Sequence, residues 1–414
     1  MKKTLTLCLI TMVLSISIMG CAGEKDAGPE KQQNGTEGSV ADGKEENAGS
    51  EEPIRVGCIQ DTSGGASLAG QPNQWGAEYA VKVINENGGI HGRMIELYSR
   101  DCQNDAEVGV TCYRELVDEV GVCAIIGPPL SNPASAWVEL SEEDQIPIVG
   151  HFMDEVCTTD PDTGEAYPYM FLAEPSCSVQ SRILASYAME NLDVKSVATL
   201  FNSSNAYAAA HEAPFIDYIE SNGGQVLARE TFTWTDTDYT AQAQKIASLN
   251  PDAVLLCDYC NQMVTSYDNL RDAGYKGIIL GANTMYPPFN ELVKNDIEEC
   301  YFVQNYDLNN GKIAELVGIQ QKETGTDYPT SNVGFGWDAV QVLANAMMQA
   351  SDPANGQEVR DILEADTREV ESCGGSKITI DPATHRPTLD MGIYIATYDE
   401  NKQVKCLEYI TLEQ

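Results

Sequence analysis

The sequence predicts an α/β fold made of two doubly wound parallel-sheet lobes. Three observations carry this. Short apolar runs alternate with helix-length amphipathic segments, a pattern of βαβ units. The alternation occurs as two successive series, roughly 54–170 and 177–301. About 360 residues follow Pro53, long for one core and comfortable for two.

The chain opens with Lys2 and Lys3, then an apolar stretch from Leu5 to Met19, then Gly20 and Cys21. A charged start, an apolar centre and small residues at a cut site read as an export signal over 1–20. The apolar stretch is short for a membrane span, which needs roughly 20 residues. Cleavage before Cys21 resembles the lipobox of bacterial lipoproteins, in which the cysteine is lipidated and becomes the mature N-terminus. Two or more acyl chains anchor a protein stably. Residues 22–53 contain no aromatic residue, and Val40 is their only large aliphatic one. Such a composition buries too little apolar surface to offset its ordering entropy, so 21–53 reads as lipidated cysteine plus flexible tether.

In the body, strand-like runs are Ile54–Ile59, Met94–Ser99, Cys123–Ile126, Ile146–Val149, Ser196–Phe201, Ala253–Cys257, Ile278–Leu280 and Cys300–Gln304. Between them lie helical periods. Trp75, Tyr79 and Val83 form one stripe; Val108, Cys112, Leu116 and Val120 form another. Asn85–Arg93 ends the first long helix, with Gly88 suited to a left-handed cap and Gly92 to a tight turn. The remainder adds long helices at Lys312–Glu323 and Val333–Gln349, then Val359–Leu363, and strands at Lys377–Ile380, Ile393–Tyr398 and Val404–Leu412. Such a tail completes the two existing lobes, so the chain must cross between them more than once. The predicted division is 54–172 plus 306–374 for the N-terminal lobe and 173–305 plus 375–414 for the C-terminal lobe.

A formal charge of −38 argues against nucleic acid as a partner, because phosphate contacts need clustered Lys and Arg. Past the leader no apolar run is long enough for a membrane helix. Of thirteen cysteines, eleven remain after Cys8 and Cys21 are set aside, an odd number. Cys257 and Cys260 form a lone CxxC without zinc spacing, and Cys157 and Cys177 flank a loop as a candidate disulfide. The chain has no G-x-S-x-G, H-E-x-x-H or GxxxxGK[ST]. Its four histidines (His91, His151, His211, His385) are scattered outside any catalytic motif. The sequence therefore argues against an enzyme and calls for no cofactor or metal.

Ile54–Gly57, Thr62–Gly65, Asn85–Arg93, Asp101, Ile126–Pro128 with Ser131, and Ile146–Ile148 together resemble the leucine/isoleucine/valine-binding protein family. So do Tyr207, Leu270–Gly274, Gly281 and Trp337–Val340, and the resemblance runs from about 54 to 412. It implies a type I periplasmic-binding fold of two lobes joined by a three-strand hinge. It also implies an extracellular solute receptor, expected to be monomeric, of an ABC importer with its permease and ATPase subunits. The alternative is a ligand-sensing subunit for a signalling partner, since the same fold occurs in receptor ectodomains.

In open α/β sheets, ligands bind beyond the carboxyl ends of the strands. The segments there give the candidate ligand-binding residues Asp61, Ser63, Ser131, Phe152, Asp154, Tyr207, Asp258, Tyr259, Asn283 and Trp337. Ser131 follows a strand and opens a helix, where free N–H groups favour a carboxylate; its other reading is a helix cap. The resemblance places Tyr207 at the ligand, and Asn283 where amino-acid binders often carry an acid for the ammonium group. Phe335 is a further candidate aromatic wall beside Trp337, against a packing role. Asp61, Asp154 and Asp258 with Tyr207, Tyr259 and Trp337 suit an amine-bearing or other polar head by charge pairing and cation–π attraction. The expected solute is thus an amino acid, an amide or an amine-bearing compound.

Overall fold

The computed structural model describes residues 52–365 and 370–412. The leader, Cys21 and the tether up to Glu51 lie outside the described residues. Among those described, no helix is long and apolar enough to cross a membrane.

Five parallel strands form the first sheet: β1 (Ile54–Gln60), β2 (Ile95–Asp101), β3 (Ala124–Ile126), β4 (Ile148–Gly150) and β5 (Met170–Leu172). Their order is β2-β1-β3-β4-β5. The second sheet holds β6 (Ser196–Asn202), β7 (Gln225–Phe232), β8 (Ala253–Cys257), β9 (Ile278–Gly281) and β10 (Cys300–Gln304), in the order β10-β9-β8-β6-β7. All five are parallel. Ile393–Tyr398 and Val404–Ile410 extend it antiparallel beyond β10. Helices between successive strands cover the sheets, as right-handed parallel connections require.

The sequence pattern misses two strands of these sheets. β5 is only three residues long. β7 is an edge strand in which Ala228 and Phe232 are buried while Gln225, Leu227, Arg229 and Thr231 are exposed. It therefore shows no continuous apolar run.

The chain passes between the sheets three times. The first passage lies between β5 and the helix Cys177–Asn191. The second follows β10, after which the helix Asn332–Met347 packs on the first long helix Ser67–Glu86 and on β3 and β4. The third comes after residue 387, later in the chain than the boundary expected at 374/375. Ile380–Asp381 pairs with Arg386–Pro387 beside β5, where the Leu172 N–H donates to the His385 carbonyl. The His385 ring stacks on Phe171 at 4.3 Å. These contacts hold 380–387 on the first sheet, and the chain returns to the second only at Ile393.

Two glycines set how closely Ser67–Glu86 and Asn332–Met347 approach. A Cβ on Gly76 would lie 2.1 Å from the Val333 carbonyl oxygen, and one on Gly336 would lie 1.9 Å from that of Asn73. The helices thus meet backbone to backbone, which only glycine allows.

Candidate functional site

A small cavity lies between the two sheets. Its walls come from segments that follow strand ends: Leu130 and Ser131 after β3, His151 and Met153 after β4, Tyr207 after β6, Tyr259 after β8, and Asn283, Thr284 and Tyr286 after β9. The paired helices add Asn73, Asn332 and Phe335. Gly127 lets the chain turn out of β3 towards this wall. Its φ is +110°, and a Cβ there would sit 2.1 Å from the Ile59 carbonyl oxygen.

The side chains form a buried, largely neutral network. The Tyr207 hydroxyl donates to Asn283 Oδ1 (2.5 Å), and Asn283 Nδ2 donates to Asn305 Oδ1 (3.1 Å). The Asp154 N–H donates to Ser131 Oγ (3.2 Å). Tyr207 and Tyr259 stack with centroids 6.0 Å apart, and His151 stacks on Phe335 at 5.3 Å. Burial pushes the His151 imidazole down to about 3, so the ring is neutral, and raises the Tyr207 and Tyr259 phenols well above their usual range. Three lining groups are buried without a hydrogen-bond partner among the described residues: both ring nitrogens of His151, the Tyr259 hydroxyl and Asn73 Oδ1. Buried polar atoms are normally satisfied, and these belong to residues that line the cavity, which makes those residues candidate ligand contacts.

Contacts also bridge the cleft. Asn132 Oδ1 accepts from the Ala206 N–H (2.9 Å), and Asn132 Nδ2 donates to the Ser204 carbonyl (3.4 Å). Asn332 Nδ2 donates to the Tyr286 hydroxyl. These bonds join the first sheet and its helices to loops of the second.

Of the ten candidate residues, the structure brings Ser131, Tyr207, Tyr259 and Asn283 to the cavity. The other six are engaged elsewhere. Asp61 is fully buried and accepts from the Gly64 and Ala66 N–H groups (2.6 and 2.7 Å), so it organises the turn before the first long helix. Ser63 is exposed and donates to Asp101 Oδ2 (2.5 Å). Asp154 caps the turn Glu155–Cys157 by accepting from the Val156 N–H (3.2 Å). Asp258 Oδ1 accepts from Asn205 Nδ2 (2.8 Å) and from the Tyr259 N–H (2.7 Å), while its Oδ2 is buried without a partner among the described residues; burial raises the carboxyl to about 6, opposed by the Asn205 bond. Phe152 is fully buried in the core. A Cβ on Gly150 would meet its ring at 2.5 Å, so Phe152 folds back over that glycine while its neighbours His151 and Met153 face the cavity. Trp337 lies two residues beyond Phe335, on another face of the helix, near Tyr79 and under Lys312 Nζ. Asn332 and Phe335, three residues apart, share the cavity face.

Sequence reasoning passed over Asn73, Tyr286 and Asn332. The residue signal for them is indirect: Gly76 and Gly336 mark the helix contact that carries Asn73 and Asn332 to the cleft. The candidate disulfide is not formed. Cys157 and Cys177 are free thiols that point at different carbonyls, those of Ser131 and Tyr207. Cys257 and Cys260 are free and buried, and no metal-holding cluster occurs among the described residues.

A cleft between two parallel sheets, lined from strand ends of both, defines a two-lobed binding protein. The chain belongs to the periplasmic binding protein family, whose model matches residues 53–403. Among curated relatives, Leu/Ile/Val-binding protein homolog 3 of Brucella melitensis is 26% identical over 238 residues, covering 56% of this chain and 63% of that protein. Homolog 8 of Brucella abortus is 25% identical over 270 residues, covering 61% and 64%. The matches thus span less than two thirds of these relatives. Solved structures share the fold. LivJ of Streptococcus pneumoniae, a branched-chain amino acid transporter substrate-binding protein in complex with isoleucine, has a TM-score of 0.77 at 24% identity, covering 87% of this chain and all of that one. The leucine-binding protein LivK of Thermotoga maritima has 0.76 at 22%, covering 86% and 99%. A solute-binding protein of an ABC transporter from Rhodopseudomonas palustris, in complex with 3,4-dihydroxybenzoic acid, has 0.76 at 19%, covering 87% and 97%.

Proposed function

We propose that this chain is the extracytoplasmic solute-binding lipoprotein of an ABC importer, binding one small polar solute in the cleft and delivering it to a permease. The observation that carries the reading is the cavity itself. It is lined by residues of both sheets, three of which carry buried polar atoms without a partner among the described residues. A solute touching both sides binds the closed arrangement better than the open one, and that difference alone shifts the population. The cleft-bridging bonds of Asn132 and Asn332 favour the same closed arrangement. The names of the Brucella relatives and of LivK support a solute-binding role, and that of LivJ a place in a transporter. The leader and Cys21 support tethering to the outer face of a membrane, near the permease and ATPase subunits.

Asp61, Asp154 and Asp258, on which the expected amine-binding head rests, are not among the residues that line the cavity, although Asp258 keeps one carboxylate oxygen unpartnered beside Tyr259. Tyr207→Ala tests the assignment. It removes a cavity wall and the donor to Asn283, and so weakens solute binding at least a hundredfold while circular dichroism stays unchanged. Unaltered affinity would place the site elsewhere.

A further inference from the structure

We propose that Asn305 is a positioning residue for solute binding: it carries the state of two buried hinge carboxylates, Glu174 and Asp338, to the cleft wall at Tyr207. This rests on the cleft reading above and adds a control point outside the cavity. Asn305 is not among the residues that line the cavity. It stands directly after β10, where the chain makes its second passage, and Glu174 stands in the first passage, after β5. Side chains thus join the two passages at the place that absorbs a movement of the lobes.

Asn305 Nδ2 donates to Glu174 Oε2 (3.0 Å), while its Oδ1 accepts from Asn283 Nδ2 (3.1 Å). Asn283 Oδ1 in turn accepts from the Tyr207 hydroxyl (2.5 Å). The carboxylate end sets the direction of this relay. Glu174 Oε2 accepts, so Asn305 turns its amide nitrogen there; its oxygen is left for Asn283, and the oxygen of Asn283 for the phenol. At the hinge end, the Tyr306 hydroxyl lies 2.5 Å from Glu174 Oε1 and 3.0 Å from Asp338 Oδ2. Two glycines hold its ring in place. A Cβ on Gly334 would lie 2.6 Å from one ring carbon, and one on Gly374 would lie 2.7 Å from another. Ser372 Oγ and the Cys373 N–H also donate to Asp338. Every side chain of the relay, from Asp338 to Tyr207, is buried.

Two buried carboxylates that share one hydroxyl resist ionising together, so the pair holds a proton and releases it as a unit. Burial and then the Asp338 charge raise Glu174 well above its usual range, and burial raises Asp338 to about 6. The titratable groups facing the pair are Tyr306 and Cys373, and burial keeps both neutral. His151 is neutral and one ring removed, since Phe335 lies against both it and Tyr306. Loss of the proton puts full charge on Glu174 and strengthens its bond from Asn305. Bonds in a chain polarise one another, so the Tyr207 bond to Asn283 tightens as pH rises. By reciprocity, a solute that engages Tyr207 shifts the proton equilibrium of the pair.

The test is solution NMR of the whole chain with isotopically labelled tyrosine Cζ and no added solute. Tyr207→Phe identifies the Tyr207 signal by its loss. That signal is expected to move downfield as pH rises from about 5 to 9, because a phenol that donates more strongly is deshielded at Cζ. Asn305→Leu keeps the volume, cuts the relay and abolishes the movement. Two neighbours of Tyr207 behave differently. His211, lowered to about 3 by burial, stays neutral. Asp258, raised to about 6, acts through Tyr259, and its effect persists in Asn305→Leu. Glu174→Gln keeps an oxygen for Asn305 and moves the response to lower pH, because only Asp338 remains to titrate. This variant decides alone where Asn305→Leu does not fold. A parent signal flat with pH, a movement that survives whole in Asn305→Leu, or one unmoved by Glu174→Gln overturns the relay and leaves the cleft reading in place. Equal solute affinity in the parent and Tyr207→Ala overturns the cleft reading instead.

Discussion

Replacing Gly336 with alanine adds one methyl group where the helices Ser67–Glu86 and Asn332–Met347 touch. The new Cβ lies 1.9 Å from the Asn73 carbonyl oxygen and 2.8 Å from the Ala77 nitrogen, both backbone atoms. Ordinary contact begins at 3.4 Å, so the helices must separate by more than 1 Å or the substituted helix must rotate. Overpacking of this kind costs about 1–3 kcal/mol, and a backbone obstacle places it at the upper end. Alanine recovers about 1 kcal/mol through helix propensity. The net loss is about 2 kcal/mol, roughly a 30-fold drop in the folded-to-unfolded ratio. Gly318 provides the control. It is an exposed glycine in the helix Gly311–Thr324, and a Cβ there meets nothing within 4 Å. Gly318→Ala therefore stabilises by about 1 kcal/mol. Urea titration reads both, as midpoints that move in opposite directions at constant slope. Because the same contact carries Asn73, Asn332 and Phe335 to the cavity, Gly336→Ala also weakens solute binding and Gly318→Ala does not. A Gly336→Ala protein as stable as the Gly318→Ala control would refute the close-approach argument.

Two further outcomes concern protons. The Tyr306 hydroxyl lies 2.5 Å from Glu174 Oε1 and 3.0 Å from Asp338 Oδ2, while Ser372 and the Cys373 N–H also donate to Asp338. One hydroxyl hydrogen cannot serve both carboxylates, and burial together with the nearby Asp338 charge raises Glu174 well above its usual range. The folded state thus holds a proton that the unfolded chain releases above about pH 4.3. The stability this contributes is full below that pH and is lost as pH rises towards the elevated folded value; Glu174→Gln flattens this slope in denaturation series, and parallel slopes would contradict it. His151, lowered to about 3 by burial, stays neutral, so His151→Gln leaves the shape of the affinity profile from about pH 5 to 8 unchanged, including whatever Asp258, raised to about 6, contributes to it. A pH dependence present in the parent and lost in the variant would show a titrating imidazole instead.

The alternation of strands and helices was legible because buried parallel strands write continuous apolar runs, as in Ala253–Cys257 and Ser196–Phe201. β7 was not, since an edge strand buries only every fourth residue. The site was partly legible. Segments after strand ends are readable, so Ser131, Tyr207, Tyr259 and Asn283 could be found. Which of two adjacent side chains faces a cleft is not readable when the chain has just left a strand. Phe152 and His151 differ by one residue, and Gly150 decides between them by leaving room for the phenyl ring. The three aspartates lie off the cavity lining for a related reason. A carboxylate beside a loop accepts backbone N–H groups as readily as a ligand, as Asp61 does from Gly64 and Ala66.

The central claim is that solute binds between the two sheets against Tyr207. Calorimetric titration of the parent protein and of Tyr207→Ala with the same solute tests it most directly. The account predicts one site per chain in the parent, and affinity at least a hundredfold lower in the variant with its circular dichroism intact. Equal affinity in the two folded proteins would contradict it.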